Sequence, residues 1–179
     1  KDYWRGTLMF VGQPAEERVS GARAMLEDGL FTRFGKPDAG FALHVMPGAF
    51  DEVQWRTGAM TSNGTSLMVR FTGRGGHGSD PSATIDPVMM ASRFVVDLQS
   101  VVSREKDPTA FGVVSIGAIH GGSAGNIIPD SVTLQGTVRS TSDVVHGKLE
   151  AGVRRTASAV AAMAGAPEPE VQLRGGVKS

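Results

Sequence analysis

Two adjacent carboxylates, Glu16 and Glu17, follow the short apolar run 7–11 (TLMFV) and the breaker Gln13-Pro14. Neighbouring side chains in a loop point in different directions. One carboxylate of such a pair can ligate a metal while the other reaches a water. The same pair would also suit a solvated helix N-terminus, where negative charge is favoured. His44 lies in a second apolar run, 41–45 (FALHV), closed by Pro47-Gly48. Alone it reads as a hydrogen-bonded core histidine. With both runs as strands of one βαβ unit, Glu16, Glu17 and His44 meet at the carboxyl edge of a sheet, where open α/β folds place their ligands. Neutral imidazole with carboxylate suits zinc or a similar divalent ion.

A glycine-rich stretch, Gly73-Arg74-Gly75-Gly76-His77-Gly78, matches G-x-G-x-x-G after an apolar run. A dinucleotide fingerprint needs a helix opening at once. Here Ser79-Asp80-Pro81-Ser82 intervenes, so that reading is weak. The glycines instead allow close backbone approach and leave His77 free to project. Asn126 follows a second glycine-rich stretch, and Arg139 comes 13 residues later. An amide and a guanidinium together could hold a substrate carboxylate, because Arg presents a bidentate fork. A turn Asn and an exposed strand-end Arg are the plainer reading. His120 and His146 read as loop and helix-surface residues without a role.

The elements that must position these residues fall into two groups. Run, helix (about 20–28) and run make the βαβ piece within the first 45 residues. Two strands do not make a stable sheet, so the rest of that domain is expected outside this sequence. From Ser62 the pattern changes. Residues 65–72 alternate, with Leu67, Val69 and Phe71 on one face. Asp86-Pro87 opens a helix to about Arg104, with a stripe of Ile85, Val88, Ala91, Val95, Leu98 and Val102. Strands follow at 111–119 and around Val132 to Val138. A helix from about Asp143 to Ala164 has Val145, Leu149, Val153, Val160 and Met163 or Ala164 inward. A last strand spans 170–174. The order β-α-β-β-α-β is the ferredoxin-like split βαβ. The fold class is therefore α/β and α+β: a partial parallel α/β domain at 1–61, a self-contained βαββαβ domain at 62–175, and a return towards the first at 176–179.

Composition narrows the function. The 179 residues carry 18 Lys+Arg against 18 Asp+Glu, a net charge of zero, which argues against nucleic acid or an acidic membrane as partner. Cys is absent, which excludes a disulfide scaffold, a thiol nucleophile and Cys-based zinc sites. No apolar run approaches the roughly 18 residues of a membrane span. The opening Lys1-Asp2-Tyr3-Trp4 has neither initiator Met nor signal peptide, so the chain reads as a piece of something longer, and the compartment stays open.

Four segments together resemble the M20 family of metal-dependent amidohydrolases: GTLMFVGQPAEE (6–17), FALHVMPG (41–48), FTGRGGHGSDPSATIDPV (71–88) and VVSIGAIHGGSAGNIIPDSVTLQGTVRS (113–140). The likeness covers nearly the whole chain and leans to the branch that cleaves N-acyl and N-aroyl amino acids. It implies Glu16 as general base, and Glu17 and His44 as ligands of a divalent metal, zinc first, with manganese, cobalt and nickel as alternatives. It implies His77 as a lid histidine that stabilises the oxyanion in the partner subunit's site, and Asn126 and Arg139 as lid residues contacting the substrate and its carboxylate. The βαββαβ region would be the lid and the homodimer interface. The family's remaining metal ligands would flank this sequence. The competing reading is a non-catalytic dimerisation module of a degenerate or truncated relative.

Overall fold

The computed structural model describes residues 3–16, 20–45 and 47–175. The chain divides into two compact units, Lys1–Gln54 and Trp55–Ser179.

The first unit contains helices α1 (Gly21–Glu27) and α2 (Leu30–Phe34). The strands expected at 7–11 and 41–45 do not form, and no strand occurs among its described residues, so the βαβ expectation is corrected here. Leu8 is 77%, Phe10 93%, Phe41 97% and Leu43 94% exposed. The reason is physical. A strand built to be buried on both faces needs hydrogen-bonded neighbours and a layer on each side. The described residues supply neither, and the backbone groups turn to water instead.

The second unit is built on strands that alternate as expected. In β1 (Asn63–Thr72), Leu67, Val69 and Phe71 are buried while Ser66 and Arg70 are exposed. With β3 (Gly112–His120), β5 (Ser131–Ser140) and β6 (Glu170–Gly175) it forms one sheet of order β3-β5-β1-β6, every neighbouring pair antiparallel. The connections β1 to β3 and β5 to β6 each pass through a helix and skip one strand. These helices, α3 (Pro87–Ser100) and α4 (Asp143–Met163), pack on each other and on the sheet around Phe71, Phe94, Leu98, Leu134, Leu149 and Val153. A short ribbon of β2 (Gly76–His77) and β4 (Ile127–Ile128) stands apart from the sheet. Among the described residues no helix is long and apolar enough to cross a membrane.

Both helices bury much of the expected face and differ from it at particular positions. In α3, Asp86 caps the first turn through Oδ1, accepting from the amides of Val88 (2.8 Å) and Met89 (3.3 Å), with Pro87 at the first helical position. The buried line is Met90, Ala91, Phe94, Leu98 and Val101, while Val88 is exposed. The larger Met90 and Phe94 take the centre of the contact, and Val95 and Val102 border it. The α-helix stops at Ser100 and widens into a π turn, Val101–Glu105. In α4, Val145, Leu149, Val153 and Val160 are buried as expected, but Met163 and Ala164 are exposed, and Ala157 and Ala161 fill the inward positions. They continue the four-residue ridge from Val153, whereas 163 and 164 fall off it.

Candidate functional site

In the first unit, Glu16 is exposed, next to Ala15 at φ 52°. Glu17, the expected ligand beside it, lies outside the described residues. His44 is exposed, with Nδ1 2.8 Å from the carbonyl oxygen of Val45. A carbonyl oxygen only accepts, so Nδ1 carries the proton and Nε2 keeps a bare lone pair. A metal-binding imidazole has this form, its other N–H donated to a carbonyl. Among the described residues no group of three or more His, Asp or Glu is placed to hold an ion.

In the second unit, His77 is carried by the ribbon. It pairs with Ile127, and the Gly78 amide donates to the Asn126 carbonyl at 2.8 Å. The structure therefore brings His77 and Asn126 together. Immediately after it, a turn closes from the Asp80 amide to the His77 carbonyl at 2.9 Å, and within it the Ser79 amide (3.2 Å) and hydroxyl (2.7 Å) both reach His77 Nδ1. The ribbon is tied back to the sheet and to α3. The Gly73 amide donates to the Asp130 carbonyl at 2.8 Å, and Arg74 and Ile85 exchange two backbone bonds of 2.9 Å. The glycines thus serve close approach, and no α-helix starts until Pro87, only a 3-10 turn at Pro81–Ala83 intervening, which removes the dinucleotide reading.

Gly73 is the tightest of these approaches. A Cβ there would lie 2.0 Å from the Ile85 carbonyl oxygen, which is backbone and already bonded to Arg74. We expect Gly73→Ala to lower the stability of this unit by about 1–3 kcal/mol through forced backbone displacement. Gly125→Ala, where nothing lies within 4 Å, should be near neutral. Urea melts of the two variants compare them directly; equal midpoints would show that the approach imposes no constraint.

Arg139 sits elsewhere. It lies eight residues along β5 from Ser131, opposite Gly64 of β1, and its Nη1 is 3.7 Å from where a Gly64 Cβ would be. At about 3.3 Å per residue the strand carries it roughly 26 Å from the β5 start, the end that the ribbon adjoins. Within one chain, Asn126 and Arg139 therefore do not form a joint amide-guanidinium clamp. The Arg139 side chain is exposed and makes no hydrogen bond or ion pair among the described residues.

The strand end that bears Arg139 is held by a polar cluster that the sequence reading passed over. His146, assigned to the helix surface, is largely buried, with Nδ1 3.0 Å from Ser140 Oγ and Nε2 2.8 Å from Thr65 Oγ1. Thr65 also donates to Glu150 Oε1 at 2.9 Å, and Asn63 Nδ2 to Asp143 Oδ1 at 2.8 Å. The signal was available. Asn63 and Thr65 share the phase of Leu67, Val69 and Phe71, so alternation points both of them inward, where each needs a polar partner. Residues 146 and 150 stand one helical turn apart, on the side of α4 next to Leu149.

A family model of the M20 peptidase dimerisation domain matches residues 60–163. Hippurate hydrolase of Campylobacter jejuni is 42% identical over 159 residues, covering 88% of this chain and 41% of that protein. N-acetyldiaminopimelate deacetylase of Leuconostoc citreum is 36% identical over 158 residues, covering 88% and 41%. Among solved structures, a dinuclear metal-binding peptidase of the M20 family from Bacillus subtilis superposes with a TM-score of 0.63 at 25% identity, covering 93% of this chain and 40% of that one. The chain spans about two fifths of the length of the curated relatives it matches. Since the matched segment takes in β1 to α4, with His77, Asn126 and Arg139, the chain belongs to the M20 peptidase family.

Proposed function

We propose that this chain is part of a metal-dependent amidohydrolase that cleaves the amide bond of N-acyl or N-aroyl amino acids. Residues 62–175 act as its lid and dimerisation domain, and residues 1–61 belong to its catalytic domain. The observation that carries the reading is the extended similarity to a hippurate hydrolase and an N-acetyldiaminopimelate deacetylase. Hippurate and N-acetyldiaminopimelate are both N-acylated amino acids. The strand order β3-β5-β1-β6 with two helical crossovers supports a ferredoxin-like arrangement for the lid. The dimerisation-domain match supports a homodimer. Exposed Ile119 of edge strand β3, Phe111 just ahead of that strand, and the exposed Val96 of α3 offer apolar surface for it.

The family neighbour that binds two metals supports a divalent ion, with zinc, manganese, cobalt and nickel as candidates. His44 would hold it through Nε2 and Glu17 through its carboxylate, alongside ligands contributed outside this sequence. When bound, such an ion polarises an amide carbonyl and acidifies a water. The chain's own residues do the rest. Glu16 takes the proton of the attacking water and returns it to the leaving amine. His77, with Asn126 beside it, donates to the developing oxyanion in the partner subunit's site. Arg139 grips the substrate carboxylate with its bidentate fork, so truncating that group should harm turnover as well as binding. The separation of Arg139 from His77 within one chain agrees with their acting in different subunits' sites.

The test is release of free amino acid from N-benzoylglycine and N-acetylated amino acids by the full-length enzyme. Activity should vanish with a chelator and return on adding metal. Equal rates with and without chelator would sink the reading. No release with any of the four metals, from a protein that sediments as a dimer, would favour the non-catalytic module instead.

A further inference from the structure

The geometry points to Ser79 as the positioning residue that fixes the His77 imidazole in the tautomer with its proton on Nε2. The Ser79 amide lies 3.2 Å from His77 Nδ1, and the Ser79 hydroxyl 2.7 Å from it. A backbone amide can only donate, so Nδ1 must present its lone pair. In the neutral ring the remaining proton then sits on Nε2. That nitrogen has no partner among the described residues, and the side chain is exposed, so the N–H points out of the ribbon as an unused donor.

No rotamer of Ser79 can withdraw the amide, because it is backbone. It belongs to the turn closed by the Asp80 amide on the His77 carbonyl, and the preceding residue, Gly78, is pressed against β4. A Cβ at 78 would stand 3.1 Å from the Asn126 carbonyl oxygen, a tight contact that glycine avoids. The hydroxyl then adds a second donor to the same lone pair.

His44 shows that the selection is specific. There a main-chain carbonyl takes the Nδ1 proton and frees the Nε2 lone pair; at His77 a main-chain amide does the reverse. A free imidazole samples both tautomers, whereas an oxyanion is served only by the one with the proton directed at it. The catalytic consequence rests on His77 being the oxyanion donor proposed above, but the tautomer itself does not.

Long-range nitrogen–proton NMR on the 179-residue chain at pH 8 reads the tautomer directly, with His77→Gln assigning the signal. The wild-type ring should show an unprotonated Nδ1 and a protonated Nε2 at their limiting shifts. Ser79→Ala removes the hydroxyl but keeps the amide, so it should move both nitrogens only part of the way towards the averaged values of a free imidazole, and Ser79→Thr should restore them. A proton on Nδ1 in the wild type, or averaged shifts there, overturns the inference. In the full-length enzyme, His77→Ala should lower kcat about 10²–10³-fold at unchanged KM, the worth of an oxyanion donor, whereas Ser79→Ala should lower it no more than about twofold, because averaging leaves about half of the rings or more competent. A fixed tautomer together with undiminished turnover in His77→Ala upholds the inference and removes His77 from the oxyanion role instead.

Discussion

Glu16→Gln in the metal-loaded, full-length enzyme should slow release of the free amino acid by about 10²- to 10⁴-fold, the range that a positioned general base contributes. The amide is nearly isosteric but cannot take a proton from water. Glu16 is exposed, so no packing is lost with its charge, and the melting temperature should stay put. Metal content should also be unchanged, because the proposed ligands are Glu17 and His44. Loss of turnover with metal retained separates a base from a ligand. A variant that keeps its rate would leave Glu16 as a solvated carboxylate ahead of a helix, the alternative its sequence position allows.

The largest stability effect is expected from Phe94→Ala. Phe94 is wholly buried and meets Phe71 edge-on, with centroids 5.7 Å apart and planes at 64°. Truncation removes the ring's transfer energy and leaves a cavity between α3 and the sheet, together about 3–5 kcal/mol. The aromatic pair adds to what area alone would give. Urea unfolding followed by far-UV circular dichroism measures it. A loss below about 1 kcal/mol would mean that the core collapses around the gap or is not packed as described.

These two residues mark what was legible in the sequence. The second unit could be read because its sheet is covered on one side only, so alternation in β1 and β5 survives as a pattern. The start of α3 was legible from Asp86-Pro87, since both caps are local chemistry. Its rotation was not. Val88, Val95 and Val102 keep a helical period as good as that of Met90, Phe94 and Val101, and only tertiary packing chooses between the two lines. The strands at 7–11 and 41–45 were misread for the opposite reason. Continuous apolarity describes the surroundings a segment needs, and those surroundings lie beyond the described residues. At the site, residue types and motif order brought out Glu16, His44 and His77, but spacing was silent on direction. Asn126, ahead of β4, and Arg139, near the far end of β5, are 13 residues apart in sequence but separated by the length of that strand. His146 was missed because its signal lay in the strand, in the inward phase of Thr65, and not in the helix that carries it.

The ties at Gly73, Arg74 and Ile85 bear on how His77 travels. Both ties lie at the entry to β2, Gly73 bonding to the β5 approach and Arg74 to Ile85 ahead of α3, and the partner strand β4 runs on into β5 after two residues. Anchored at its base in this way, the ribbon is continuous with the sheet, and the proposed donor on His77 would move with sheet and helices rather than as a separate flap.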